Sequence, residues 1–593
     1  MKTVPFLRPV PGVIFMAGMF LACGEFTSAA QGVLQVVALE GQPAPDGNGN
    51  MGRLFSAAFG PPVINHAGLM AFPAFHTNTA AGLSDSAAIY LFEGTALTML
   101  VRGGWPAPPT LGNFSAFNTH STTGTRFLTL NDAGQVGVFA DVSGDPNYAD
   151  VCGAGLFRFA PGAQIPVTLC GVADPRGLGA FSDFGEHALN ALGRVAFQAR
   201  IKVDDFTIPI GVLHGDEQGL QTVLLQGDTV PGGTETFTAS LLRGFNDADR
   251  LLIFADDTGD QGGLADESIY LGGAGGLELV VRNDASPPEG NGLFEHFQVG
   301  ALNNSNLVAF TATLKETSGG TSDDAGLYLA QSNALHLVAR EGSPAPNGGN
   351  WRNFQQPSLN DRGAMAFLGF ADFNLTYGSG VYVATTNTLT LLVPSRTPAP
   401  DGQGVLNLEQ STFPILAINN RGQVLFQASI IGGLSTARMG LFLAEPDGTL
   451  HQVARRGQAV LESTINQIEL TSTGGIVDAG GADLGGQRPL NDAGQVAFWA
   501  ELADGRDGIF LWSPPVPAPT LGSVSFDGTD AVVRVPTETG RNYQLLRRAN
   551  LLSGVWQGEG DAVAGDGDEL ELRHIDAVGS FDQQYYQVEV TSP

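Results

Sequence analysis

Two acidic loops between second and third strands offer several hard-oxygen ligands each: Asp141, Asp145 and Asp150 in one, Asp256, Asp257, Asp260 and Asp266 in the other. Several carboxylates on one short loop suit calcium, the cofactor these residue types would hold, although neither run follows the twelve-residue order of an EF-hand. Solvated polar turns account for the same composition. The nine histidines, at 66, 76, 120, 187, 214, 296, 336, 451 and 574, are scattered without a His-Glu-x-x-His pair, so the sequence mark of a zinc hydrolase is missing. Glycine runs such as Gly272-Gly273-Ala274-Gly275-Gly276 read as hairpin turns, with no following helix to present a phosphate site. Cys152 and Cys170 flank a hairpin that turns at Pro161-Gly162. They suit either a cross-strand disulfide or two buried thiols, and a metal would need further soft ligands nearby. No catalytic residue emerges from spacing, although side chains from distant segments can still converge at a channel mouth.

The elements that must position these groups repeat. A motif asparagine recurs as Asn65, Asn131, Asn190, Asn246, Asn303, Asn360, Asn419 and Asn491, at intervals of 66, 59, 56, 57, 57, 59 and 72 residues. Such a period calls for a repeat fold. Each copy reads Asn, two residues, a turn residue, one residue, then three mostly apolar residues, as in Asn360-Asp361-Arg362-Gly363-Ala364-Met365-Ala366-Phe367. The turn residue is Gly, Asp or Asn in all eight copies, types that accept a left-handed backbone. The asparagines therefore read as structural turn residues that hydrogen-bond their own turn. Four short strands fit each period, the pattern of a propeller blade. A fourth strand follows the first seven third strands but not the eighth, where Trp512 runs into prolines, and an orphan copy stands at Leu34 to Leu39. The expectation is an all-β chain: an eight-bladed β-propeller closed by that N-terminal strand. The repeats at Asn131 and Asn246 place Val138 and Ile253 where the others have Phe, with Phe139 and Phe254 one later, and a local bulge is expected in both. The fourth-strand arginines Arg102, Arg282, Arg340 and Arg455 suit carboxylate pairing between blades.

Composition narrows the partners. Twenty-nine Lys plus Arg against 59 Asp plus Glu leave a net charge of −30, which argues against nucleic acid and against adsorption to anionic lipid. Residues 1–30 read as a secretory signal: Lys2 and Arg8, an apolar run from Val10 to Cys23, then small residues to Ala30. The alternative makes Cys23 a lipidated first residue, with Phe20 and Leu21 departing from the usual lipoprotein pattern. No later segment has the roughly 20 apolar residues of a membrane span. The protein is expected to be exported, whether periplasmic, cell-surface or extracellular, and monomeric.

The domain reading is 1–30 signal peptide, 31–512 eight-repeat propeller, 513–519 Pro-rich linker and 520–593 C-terminal β-sandwich module. The module carries Tyr543-Gln544-Leu545, Leu551 to Trp556 and Tyr585-Tyr586-Gln587-Val588, and it resembles loosely a fibronectin type III domain. The motif at Asn303, Asn360, Asn419 and Asn491 resembles the tandem N-x-x-G-x-x-A-F repeat of exported bacterial proteins of the choice-of-anchor type, over about 32 to 512. That resemblance implies export and contributes no catalytic residues. Two functions fit: a non-enzymatic module binding glycan, extracellular protein or matrix through loops and channel rim, or a secreted hydrolase or lyase acting on polysaccharide. A Gly-rich excursion from Gly474 to Gly486 is a candidate cap on one face or a mobile loop.

Overall fold

The computed structural model describes residues 32–591 apart from 54–56, 109–110, 118–127, 144–152, 206, 259–267, 333, 374–375, 409–415, 434–438, 471–487, 516–522, 538–540, 549–555 and 576–584. These residues are almost all in antiparallel strands and turns, with two short 3-10 turns at Gly82–Asp85 and Gly320–Ser322. Among the described residues no helix is long and apolar enough to cross a membrane. They fall into two compact units, one spanning Val33–Ser513 and the other lying in Pro514–Pro593.

Within Val33–Ser513 the repeating unit is a four-stranded antiparallel sheet whose strands pair in chain order. One example is Ala180–Leu189, Val195–Lys202, Ile210–Asp216 and Gly219–Leu225. The first strands are bulged: register skips between Phe184 and His187, between Leu242 and Gly244, and between Gln355 and Ser358. The N-terminal strand Val33–Leu39 pairs with Asp507–Ser513, placing Val36 opposite Phe510, in the sheet that also holds Val496–Leu502.

The apolar runs that open the second strands are buried, as at Val195, Ala196 and Phe197, which suits segments covered on both faces. The motif phenylalanine stacks on the aromatic opposite it in the third strand: Phe310 on Tyr328 and Phe367 on Tyr382, each at 5.5 Å between centroids. In the third strand this aromatic folds back over the glycine two residues earlier. A Cβ on Gly326 would lie 2.6 Å from the Tyr328 ring, so the space admits no side chain. The bulge expected in the two departing repeats is not in this pairing. Val138 stands opposite Phe157 and Ile253 opposite Tyr270 in unbroken register, so a smaller apolar side chain simply replaces Phe there.

The second unit has two three-stranded sheets. One orders Ser523–Asp527, Asp530–Pro536 and Glu569–His574, the other Gln557–Ala564, Asn542–Arg548 and Tyr585–Thr591. Val533 and Leu572 from the first and Leu545 and Val588 from the second share one apolar cluster.

Candidate functional site

Each motif asparagine closes its own turn. Its Oδ1 accepts the backbone N–H four residues on in all eight copies, at 2.8 to 3.0 Å. The turn residue has positive φ each time, from 61° at Asn306 to 84° at Gly68, which explains the restriction to Gly, Asn and Asp. A role confined to the turn is too narrow, however, because the other end of the amide leaves it. Nδ2 donates to the backbone carbonyl of the next motif asparagine: Asn65 to Asn131, Asn131 to Asn190, Asn190 to Asn246, Asn246 to Asn303, Asn303 to Asn360, Asn360 to Asn419 and Asn419 to Asn491. Six of these bonds measure 2.8 to 3.0 Å, and the one from Asn190 is stretched to 3.4 Å. Asn190 is buried all the same, and its Oδ1 still accepts from Leu192 and Arg194 N–H within the turn. Ile64 N–H then donates to Arg488 O at 2.8 Å, joining the last copy to the first.

A second circuit runs one residue later. Positions 66, 132, 191, 247, 304, 361, 420 and 492 hold His, Asp, Ala, Asp, Asn, Asp, Asn and Asp. The backbone N–H at one position donates to the Oδ1 at the next, as from Ala191 to Asp247, Asp247 to Asn304 and Asn304 to Asp361. Asn304 Nδ2 bridges Asp247 Oδ2 at 2.9 Å and Asp361 Oδ2 at 3.2 Å, and Asn420 Nδ2 bridges Asp361 and Asp492. His66 Nδ1 lies 3.0 Å from Asp492 Oδ2, and Arg488 contacts the other ring nitrogen. Burial pushes the Asp492 carboxyl up, but hydrogen bonds from His66 and Asn420 outweigh it and hold it well below the usual carboxylate range. Ala191 has no side-chain acceptor for the Asp132 N–H and interrupts the circuit, and at its closure His66 meets Asp492 through the imidazole instead of an Oδ1.

The two circuits line a pocket of about 80 Å³ whose apolar wall includes Leu189, Phe245, Leu302, Ile418 and Leu490. That volume takes a few water molecules. The shared bonds to Asn304 keep the Oδ2 atoms of Asp247 and Asp361 within about 6 Å, a spacing that glycosidase carboxylates also use. Here the amide that sets the spacing also fills the gap. A hydrolytic pair needs the bond to be cleaved, or the attacking water, in that place.

The described calcium candidates sit in two separate sheets. Asp145, Asp150, Asp260 and Asp266 lie outside the described residues. Asp141 is in the strand Val136–Ser143, whereas Asp256 and Asp257 end Leu251–Asp257 in another sheet, with Asp257 3.6 Å from Arg282. Among the described residues no three His, Cys, Asp or Glu side chains are grouped to hold a metal. Cys170 is buried and disulfide-bonded, while Cys152 lies outside the described residues, as does the stretch from Gly474 to Gly486. Two other histidines do not line that pocket. His76 bridges Ser86 O and Tyr90 Oη, and burial drives the His187 imidazole down to about 4.

Three of the four fourth-strand arginines, Arg102, Arg340 and Arg455, brace the connector into the first strand, whereas Arg282 faces Asp257. Buried Arg102 pairs with Asp46 at 2.7 Å and donates to Asn48 O and Asp85 O; Arg340 repeats this with Glu289, Asn291 O and Asp323 O. Asp85 accepts from Asn48 and Thr79, just as Asp323 accepts from Asn291 and Thr317.

A family of unknown function, DUF7453, matches the chain twice, over residues 12–211 and 205–523. No curated protein matches. Among solved structures, the β-propeller domain of the Trilobed protease from Pyrococcus furiosus is 9 % identical, with a TM-score of 0.34 over 67 % of this chain and 98 % of that one. The Dos1 propeller is 9 % identical, with a TM-score of 0.31 over 77 % and 93 %. The polysaccharide lyase Uly1 is 8 % identical, with a TM-score of 0.34 over 81 % and 97 %.

Proposed function

The chain belongs to the DUF7453 family, and from that premise we propose that it is an exported, non-enzymatic binding protein. Its architecture in this reading is an eight-bladed β-propeller closed by the N-terminal strand and followed by a small β-sandwich. The ring is supported by the hand-on of each motif amide to the next carbonyl and by the return from Ile64 to Arg488. The sandwich is supported by the apolar cluster that the two C-terminal sheets share. The loops between strands and the channel rim bind glycan, extracellular protein or matrix, helped by the C-terminal module. No resident cofactor is required.

One observation carries the non-enzymatic part. The carboxylates that converge at the axis spend their acceptor atoms on inter-repeat bonds, with Asp361 accepting from Asn304 N and from the amides of Asn304 and Asn420. A general acid or base needs a free lone pair or an exchangeable proton facing substrate. The test presents the full-length chain to an array of polysaccharides and matrix proteins while assaying reducing-end release and unsaturated products. Saturable binding without product formation is expected. Product formation that is lost in Asp361→Asn would replace this reading by a polysaccharide hydrolase or lyase.

A further inference from the structure

Glu186 and Arg243 occupy the bulges of two neighbouring first strands, Ala180–Leu189 and Phe237–Phe245, which pack against each other. A bulge lifts a residue out of the ladder and re-aims its side chain. Gly185 and Glu186 together face the single residue Gln198 between the Phe184–Ala199 and His187–Phe197 pairs, and Arg243 has no residue opposite it between Leu242–Ile253 and Gly244–Leu252. The Glu186 side chain is 7 % exposed, and its Oε2 has no hydrogen-bond partner. Arg243 is partly exposed, and its Nε is likewise unpartnered. Its guanidinium stands 5.7 Å from the centre of the Phe254 ring, a cation–π contact. The Ser240 hydroxyl, buried on the same strand, also lacks a partner, although its carbonyl accepts from Gln198 Nε2 at 2.8 Å.

The two charged groups sense each other without touching. Burial pushes the Glu186 carboxyl up and Arg243 opposes that shift, yet no ion pair joins them among the described residues. Leaving a buried carboxyl unsatisfied is costly, and a guanidinium within its field offers several unused N–H groups. We propose that Glu186 and Arg243 form a two-point site for a small ligand bearing a carboxylate beside a hydroxyl, the chemistry of an acidic sugar or a hydroxy acid. The ligand carboxylate lies along the guanidinium fork, which matches it in shape and charge. Its hydroxyl hydrogen-bonds Glu186. Arg243 alone would accept any anion, so the carboxyl beside it penalises ligands without the hydroxyl. This site is separate from the loops and rim above and does not rest on that reading.

Isothermal titration of the full-length chain with sodium D-glucuronate, sodium L-lactate, D-glucose and sodium acetate tests it. Saturable binding of glucuronate or lactate is expected, at least tenfold tighter than glucose or acetate, and whichever of the two binds separates the sugar from the simple hydroxy acid. Arg243→Met should abolish binding, and the isosteric Glu186→Gln should weaken it at least fivefold with an unchanged melting curve. Glu186→Gln decides the matter even where Arg243→Met does not fold. Absence of binding by both hydroxy acids, equal binding of acetate, a site occupied by water only, or undiminished affinity in Glu186→Gln overturns the proposal. A chain that binds glucuronate here but no polymer or matrix protein keeps this site and loses the reading above.

Discussion

Glu40 and Asp507 are bonded to each other twice across the join between the N-terminal strand and its partner: Glu40 N–H donates to Asp507 O at 2.9 Å, and Asp507 N–H donates to Glu40 Oε2 at 3.3 Å. Their carboxyl groups meet beside Arg53, with Asp507 fully buried and accepting from Ala58 N–H and Trp499 Nε1.

Burial first, and then the neighbouring Glu40, push the Asp507 carboxyl up against the lowering effect of the Ala58 and Trp499 donors and of Arg53. A carboxyl raised in the folded state binds more protons folded than unfolded between its two values. The stability it contributes is therefore complete below the unfolded value near about 4 and is lost as pH rises through the folded value. Melting temperatures of the wild type and Asp507→Asn, followed from pH 3.5 to 8, should show the wild type losing ground to the variant as pH rises. Parallel curves would mean that Asp507 does not titrate in that window.

The same backbone position recurs at Glu341, whose N–H donates to Ala325 O at 2.8 Å as Cys170 N–H does to Ala154 O at 2.9 Å. Burial, and then contact with Asp324, lift the Glu341 carboxyl to about 7. Its contribution to stability is whole at pH 4 and vanishes as pH passes about 7. Glu341→Gln should therefore lose to the wild type at pH 5 and match or exceed it at pH 8.5, as read by urea midpoints at the two values.

The position after the fourth strand shows where the sequence stops being legible. The turn asparagines and their glycines were readable because a turn is a local constraint, repeated eight times. Local spacing also exposed the orphan strand, since Leu34 to Leu39 and its following turn copy the other fourth strands. The axial circuits were not readable, because each bond spans 56 to 72 residues and its residue type alternates: Asp247, Asn304, Asp361, Asn420 and Asp492 look like variable turn residues until they are placed side by side. Asp or Asn at six of eight positions after the motif asparagine was the available signal. Glu186 and Arg243 gave none, because a bulge is set by strand pairing and leaves an ordinary strand sequence behind.

The two ends of the motif amide can be separated. Asn303 Oδ1 accepts from Leu307 N–H and its Nδ2 donates to Asn360 O, both at 2.9 Å and buried. Asn303→Ala loses both and should cost about 2–4 kcal/mol, since buried backbone groups are left unpaired. Asn303→Asp keeps the turn acceptor but sets an oxygen against the Asn360 carbonyl. Chemical denaturation should show it at least as damaging as alanine. A near-neutral Asn303→Asp would show that the turn, and not the link between repeats, is what the asparagine supplies.

Arg340 should not tolerate lysine. Its Nε and terminal nitrogens reach Asp323 O, Asn291 O and Glu289 in three directions from a buried position. An ammonium cannot span a planar fork, so Arg340→Lys leaves at least one carbonyl unmet and should cost about 1–3 kcal/mol. Arg340→Met strands the Glu289 carboxylate as well and should cost about 3–5 kcal/mol, as for other broken buried pairs. Equal melting temperatures for the wild type and the lysine variant would show that charge alone suffices.

The gap at Ala191 offers the reverse experiment. Where Asn304 stands between Asp247 and Asp361, its Oδ1 takes the Asp247 N–H and its Nδ2 reaches both flanking carboxylates. Ala191 stands between Asp132 and Asp247 in the same way, is exposed, and has no side-chain oxygen for the Asp132 N–H. Ala191→Asn supplies both halves of the missing link without adding charge, and one or two partly exposed hydrogen bonds should stabilise the protein by about 0.5–1.5 kcal/mol. Ala191→Asp supplies the acceptor but sets three carboxylates in a row, so it should gain less and improve with salt as the repulsion is screened. A melting temperature that rises for Asn, rises less for Asp, and converges between the two at high ionic strength would show that the circuit is held by alternation of acid and amide. If neither substitution moves it, the axial bonds follow from the packing of the sheets and do not hold it.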